Sequence, residues 1–208
     1  MKADEKILQT FRKSEPILIE EIVDLFHGKP RHWVDYVLKT MVEENRLHRY
    51  STGVYYIPGI PHTLFYSPSV EDVVKKKYIE DRKGAYGYLA GDSLLFSLGL
   101  IKDPPKVMTV ATNREKSRGR RITIHGKTIY ITKTHGRVNR ENQAVLMFLE
   151  AVRLLEIDWR NEERLKILCK YIMDKQIDLL NVSEYCRYFP DSVSKKILSS
   201  QLVHMMRR

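Results

Sequence analysis

The sequence predicts an α+β protein, and three observations carry that prediction. Residues 4–45 show helical apolar spacing and run into a β-prone hairpin. Three β-like runs lie between residues 107 and 132. Most of the chain beyond residue 141 returns to helical patterns. At about 150 residues per domain, 208 residues make one or two domains. With 43% apolar and 30% charged residues the chain has the composition of a globular protein, not a disordered one. The longest stretch without Asp, Glu, Lys or Arg runs from Tyr50 to Val70, and prolines and glycines interrupt it, so no membrane helix is expected. The opening residues Met1-Lys2-Ala3-Asp4-Glu5-Lys6 carry acids and lack the apolar run of a signal peptide. Cys169 and Cys186 are too few for a disulfide framework or a Cys-rich zinc site, so the expected setting is the reducing cytoplasm. Secreted, membrane and fibrous classes are therefore set aside.

Ile7, Leu8 and Phe11 mark one face of a short first helix within 4–13, which Pro16 stops. Ile19, Ile22, Val23 and Phe26 mark a second. Gly28 breaks the chain, and Pro30 sits near the start of a third helix with Val34, Val37, Leu38, Met41 and Val42 on one side. Its other side presents Arg31, His32, Asp35, Tyr36 and Lys39, and Asn45 is its expected stop. Leu47–Tyr50 and Val54–Ile57 then flank Ser51-Thr52-Gly53 as a hairpin, and Pro58-Gly59-Ile60-Pro61 reads as a linker. Three helices and a hairpin in this order predict a winged helix-turn-helix over residues 1–60. In that fold the third helix enters a major groove about 12 Å wide, and the hairpin touches phosphates or the minor groove. A protein–protein module is the alternative for the same fold. Lys29, Arg31, His32 and Lys39 on or beside the outer side of helix three, with Arg49 on the hairpin, favour DNA.

Residues 61–208 predict a mixed domain with a small antiparallel sheet and several helices. Ser69 and Asp72 are spaced as a capping box for a helix reaching about Arg82, which Gly84 ends. A short helix follows from Gly91 or Asp92 to Leu98. Strands are expected at Val107–Ala111, Arg121–His125 and Thr128–Thr132, the last two around Gly126-Lys127 as a type II′ turn. Asn139 is placed to cap a long helix over 141–155, and further helices fit 161–175, 183–188 and 192–206.

The formal charge of +10 is uneven. Residues 1–60 are neutral, with nine basic and nine acidic residues, whereas residues 61–140 carry sixteen basic against seven acidic. Arg114, Lys116, Arg118, Arg120 and Arg121 fall within eight residues, a run suited to a polyanion or a partner surface, with a solvated loop as the alternative.

Over residues 5–155 the order of segments resembles the AbiEi-type antitoxins of abortive-infection, type IV toxin–antitoxin systems. The residues that carry the resemblance are Gly53-Val54-Tyr55-Tyr56-Ile57-Pro58, Tyr88–Leu100 around Gly91-Asp92-Ser93, Val110-Ala111-Thr112-Asn113 with Ser117 and Arg118, and the hairpin Ile122–Ile131. The resemblance implies an N-terminal domain that binds inverted repeats of its own promoter in double-stranded DNA and represses transcription. It implies a second domain that neutralises a nucleotidyltransferase-like toxin, with no stable complex required. By matching position, DNA contact falls on Lys29, Arg31, His32, Tyr36, Lys39, Arg49 and Thr52. A stand-alone winged-helix regulator with a ligand-sensing or assembly domain is the alternative.

No catalytic set accompanies these features, so a non-enzymatic protein without metal or cofactor is expected. Gly91-Asp92-Ser93-Leu94 has the letters of a hydrolase block, but the Asp-x-x-His pair such a serine needs near the C-terminus is not found there; the chain's Asp24-Leu25-Phe26-His27 lies before the serine. The seven histidines form no His-x-x-x-His pair, and neither a Gly-x-x-x-x-Gly-Lys-Ser/Thr loop nor a Gly-x-Gly-x-x-Gly loop is present. Glu20-Glu21, Glu43-Glu44 and Glu162-Glu163 fall on helix surfaces.

Overall fold

The structure is a computed structural model and describes residues 2–63, 66–155 and 161–206. It is α+β, with ten α-helices and nine short strands among those residues. The chain divides into two units, Met1–Lys77 and Tyr78–Arg208.

The first unit runs α1 (Ala3–Thr10), β1 (Ile17–Leu18), α2 (Ile19–Leu25), α3 (Arg31–Glu43), β2 (His48–Ser51), β3 (Val54–Tyr56) and α4 (Val70–Val74). Ile7, Phe11, Ile17, Ile19 and Ile22 meet Val34, Leu38, Met41, Leu47 and Ile57 in one buried cluster. The first helix is shorter than its apolar spacing predicts. Phe11 turns extended, and Ser14, with φ 61°, donates its N–H to the Ile57 carbonyl, so the chain joins the sheet instead of the helix. The strand order is β1-β3-β2, antiparallel throughout, with Leu18 opposite Val54 and Arg49 opposite Tyr55. Gly53 (φ +74°) allows the tight turn, and its carbonyl accepts from the Ile19 N–H at the start of α2.

Beyond the expected linker the chain remains part of this unit. Ser69 caps α4 as its spacing predicts, its Oγ accepting from the Asp72 N–H at 3.0 Å while the Asp72 carboxylate accepts from the Ser69 N–H at 3.1 Å. Lys76 then reaches Glu15 at 2.8 Å and Glu21 at 3.1 Å, and all three side chains are largely buried. A single helix to Arg82 does not form. Lys75–Ile79 widens into a π-helical turn, and Glu80-Asp81 leaves it as a strand.

The second unit begins with the β4 (Glu80–Asp81) and β5 (Gly84–Ala85) hairpin. Then follow β6 (Gly87–Leu89), α5 (Gly91–Ser97), β7 (Met108–Thr112), β8 (Arg120–Ile124) and β9 (Lys127–Lys133). The helices α6 (Gln143–Leu154), α7 (Glu162–Lys175), α8 (Leu179–Cys186), α9 (Asp191–Leu198) and α10 (Leu202–Met205) complete it. The four-stranded sheet has the order β6-β7-β9-β8. Its outer pairs are antiparallel, but β7 and β9 are parallel. This corrects an all-antiparallel expectation for that sheet. Residues 113–119 carry the chain past the centre to the edge, and the β8–β9 hairpin then lays β9 beside β7 in the same direction. The hairpin turn is His125-Gly126, one residue earlier than predicted, and both residues have positive φ, as a type I′ turn needs.

Helix α6 contributes seven buried residues and packs against α5, α7, α8 and α9. Asn139 accepts the Glu141 and Asn142 N–H groups and so starts the turn that leads into α6. The predicted helix 192–206 is interrupted at Ser199-Ser200, where the Ser200 hydroxyl bonds the Ile197 carbonyl and divides α9 from α10. Helix α8 starts earlier than predicted, at Leu179, because Asp178 caps it by accepting from the Asn181 N–H at 2.7 Å. Cys169 and Cys186 form no disulfide and pack against the α6 cluster.

Candidate nucleic-acid interface

Helix α3 is anchored by its apolar side, so its outer side is fixed by default. Pro30 precedes the first turn and accepts the Trp33 and Val34 N–H groups, while Val34, Leu38 and Met41 sink into the core. The remaining positions present His32, Tyr36 and Lys39 along one stripe at i, i+4 and i+7, with Arg31 and Asp35 beside it. All seven residues expected to contact DNA are exposed: Lys29, Arg31, His32, Tyr36 and Lys39 at or on α3, and Arg49 and Thr52 on the hairpin. Tyr36 is 68% exposed, which for a tyrosine in mid-helix leaves most of its ring without a packing partner. Lys29 lies 5.6 Å from the Trp33 ring, and Trp33 packs edge-on against Phe26 at 5.2 Å.

Two cations of this face have acidic neighbours one turn further on. Arg31 Nε reaches Asp35 at 3.1 Å, and Lys39 Nζ lies 3.8 Å from Glu43. Both pairs are more than half exposed, and such pairs hold by only about 0–1 kcal/mol, so a phosphate can displace either carboxylate. The carboxylates nevertheless stay on the face, and the local excess of positive charge is small.

The hairpin tip is Thr52-Gly53, with an irregularity between Arg49 and Ser51. Strand alternation sends Arg49 to solvent, while His48 and Tyr50 turn to the other side and gather with Tyr56 and Tyr66.

In the second unit the cationic run is not a free string of charges. Its centre is Glu115, only 8% exposed. The Glu115 carboxylate accepts from the Ser117 hydroxyl at 2.6 Å, from the Lys116 and Ser117 N–H groups, and from Arg120 Nε at 2.7 Å. The Ser117 hydroxyl, followed by the Arg120 guanidinium, holds this carboxyl down at about 2. Arg114 lies over the Tyr86 ring at 3.6 Å and pairs with Asp81 at 3.1 Å. Arg114 and Arg120 thus serve the loop itself. Lys116, Arg118 and Arg121 are exposed and make no ion pair among the described residues.

Sequence reasoning missed Glu115 because its neighbours in the chain are cations, and a carboxylate in such a run is easily passed over. The signal was the spacing Glu115-x-Ser117, which suits a carboxylate receiving the N–H and hydroxyl two residues on. Ser93 of the Gly91-Asp92-Ser93-Leu94 run is 5% exposed, and its hydroxyl accepts the Thr109 N–H at 2.9 Å, tying α5 to β7. Among the described residues no group of His, Cys, Asp and Glu is placed to hold a metal, and no helix is long and apolar enough to cross a membrane. No protein-family model and no curated protein matches the chain.

Proposed function

We propose that the first unit is a winged helix-turn-helix that docks α3 in the major groove of double-stranded DNA and sets the β2–β3 hairpin against the flanking backbone. The observation that carries this is the element order α1-β1-α2-α3-β2-β3 closed by a β1-β3-β2 sheet, with the full set of expected contact residues at the surface. On this reading Arg49 and Thr52 position the domain on phosphates, and Arg31, His32, Tyr36 and Lys39 face the groove.

The larger proposal is an AbiEi-type antitoxin, non-enzymatic and cytoplasmic, that represses its own operon through promoter repeats. Its second unit neutralises a nucleotidyltransferase-like toxin of the abortive-infection kind without a lasting complex. Lys116, Arg118 and Arg121 supply added polyanion or partner contact there, beside Arg114 and Arg120. A gel shift on the upstream region of the operon tests the DNA half. Arg31→Ala, Lys39→Ala and Arg49→Ala combined are expected to abolish the shift, and Arg31→Ala alone to cost about 1–3 kcal/mol if that side chain reads a base edge. An unchanged shift in the triple variant overturns this placement. Co-expression with the adjacent reading frame tests the other half: growth rescue is expected, and a harmless neighbour favours a stand-alone regulator.

A further inference from the structure

Two adjoining hollows in the second unit share Tyr86, Asn113 and Arg137, none of them part of the α3 face. Their volumes are ≈ 490 and ≈ 660 Å³, the size of small-molecule sites. The cleft they form is rigidly backed. The Tyr86 carbonyl accepts from the Asn113 N–H at 2.7 Å and the Thr112 hydroxyl at 3.2 Å. The Asn113 side chain in turn straps the following loop, donating to the Val138 carbonyl at 2.8 Å and accepting from the Thr134 hydroxyl and the Val138 N–H. That strap holds Lys133 and Arg137 at the cleft, and both are exposed without an ion pair among the described residues.

The lining has two chemistries side by side. Arg114 covers the Tyr86 ring at 3.6 Å and presents its own planar guanidinium, and the 41% exposed Tyr188, with Arg187 5.1 Å from its ring centre, offers a flat π surface. Beside the Arg114–Asp81 pair, Lys83, Lys133, Arg137 and Arg140 line the cleft with positive charge, and three carboxylates line it in all. Two of those carboxylates are already engaged, Asp81 by Arg114 and Glu115 by Arg120, which leaves Glu141 at the rim. Arg140 uses one nitrogen on the Asp81 and Arg82 carbonyls and keeps further donors. His135 is not available as a ligand group, because Glu150 holds it at 3.3 Å and Phe189 stacks on it at 4.6 Å. A ligand with a flat heteroaromatic ring and a phosphate satisfies both chemistries, the ring on Tyr188 or on the Arg114 guanidinium plane and the phosphate on Arg137 and Lys133.

We infer that this cleft binds a nucleoside phosphate, free or at the end of a single strand. The inference stands apart from DNA binding by α3, since it uses other residues of another unit. Calorimetric titration of the full chain with adenosine 5′-monophosphate tests it. Saturable binding is expected, with adenosine and inorganic phosphate each roughly tenfold weaker or worse. Arg137→Ala with Lys133→Ala is expected to weaken the nucleotide by about tenfold or more, with an unchanged circular dichroism spectrum, while Lys29→Ala with Lys39→Ala has no effect. Displacement of the nucleotide by a 5′-phosphorylated single-stranded oligonucleotide assigns the source to a strand end, and failure to displace it assigns a free nucleotide. No saturation, equal binding of inorganic phosphate, or full binding by the cleft variant overturns the inference. Promoter binding measured on the same samples reports on α3 separately.

Discussion

Glu150 on α6 is 3% exposed, and Arg153 at 2.8 Å and His135 at 3.3 Å close on its two oxygens. Burial by itself pushes this carboxyl up, but the hydrogen bonds from Arg153 and His135 outweigh it and hold the group at about 2, below the ordinary 4.5. A depressed carboxylate stabilises the fold fully above its unfolded value. The contribution fades as pH falls from about 4.5 toward 2. Glu150→Gln is expected to cost about 1–3 kcal/mol at neutral pH and to flatten the loss of thermal stability across that acid range, read by melts at successive pH values. Glu115 governs its loop in the same way, through the donors it gathers. Glu115→Ala releases Arg120 and the Lys116 and Ser117 N–H groups. Limited trypsin digestion is expected to cut at Lys116, Arg118 and Arg120 several-fold faster than in the native protein. At Gly87 an added Cβ would lie 2.1 Å from the Tyr78 carbonyl oxygen and 2.5 Å from that of Ala111, both backbone atoms. Gly87→Ala is therefore expected to destabilise by at least about 1–3 kcal/mol in chemical denaturation.

At the scale of elements, α3 carries a face whose cations and acids nearly balance. Asp35→Asn with Glu43→Gln frees Arg31 and Lys39 from their neighbours and removes two negative charges that oppose phosphates. Tighter duplex binding at low salt is expected, and weaker binding would show that Asp35 contacts a base. The helices of this unit were legible because Ile19, Ile22, Val34, Leu38 and Met41 repeat with helical spacing around one core. Strand β1 was not legible: two residues, Ile17 and Leu18, have no period, and they become a strand only because β3 lies open beside them. The π-helical turn at Lys75–Ile79 and the parallel pairing of β7 with β9 are likewise set by what the chain packs against, and no local spacing encodes that. Of the candidate interface, exposure was legible for all seven residues. The Arg31–Asp35 and Lys39–Glu43 neighbours were legible too, as i, i+4 pairs, whereas the cleft around Asn113 draws on segments far apart in sequence.

For the molecule as a whole, each of the two units holds an apolar cluster, as a domain that folds around its own core does. The first extends past the Pro58–Pro61 linker to Lys77, where Lys76 joins Glu15 and Glu21. A fragment ending at residue 60 leaves Glu15 and Glu21 without that lysine, so it is expected to melt at a lower temperature than a fragment ending at residue 77. The central claim is that α3 and the β2–β3 hairpin form the DNA-contacting edge of a unit with no net charge through residue 60. The most direct measurement is a salt titration of full-length protein on its promoter duplex, native against Lys29→Ala, Lys39→Ala and Arg49→Ala combined. The expected result is weaker binding at every salt concentration and a log–log slope shallower by about 0.9 for each phosphate that the variant no longer neutralises. An unchanged affinity and slope would contradict the claim and place the DNA-binding surface elsewhere on the protein.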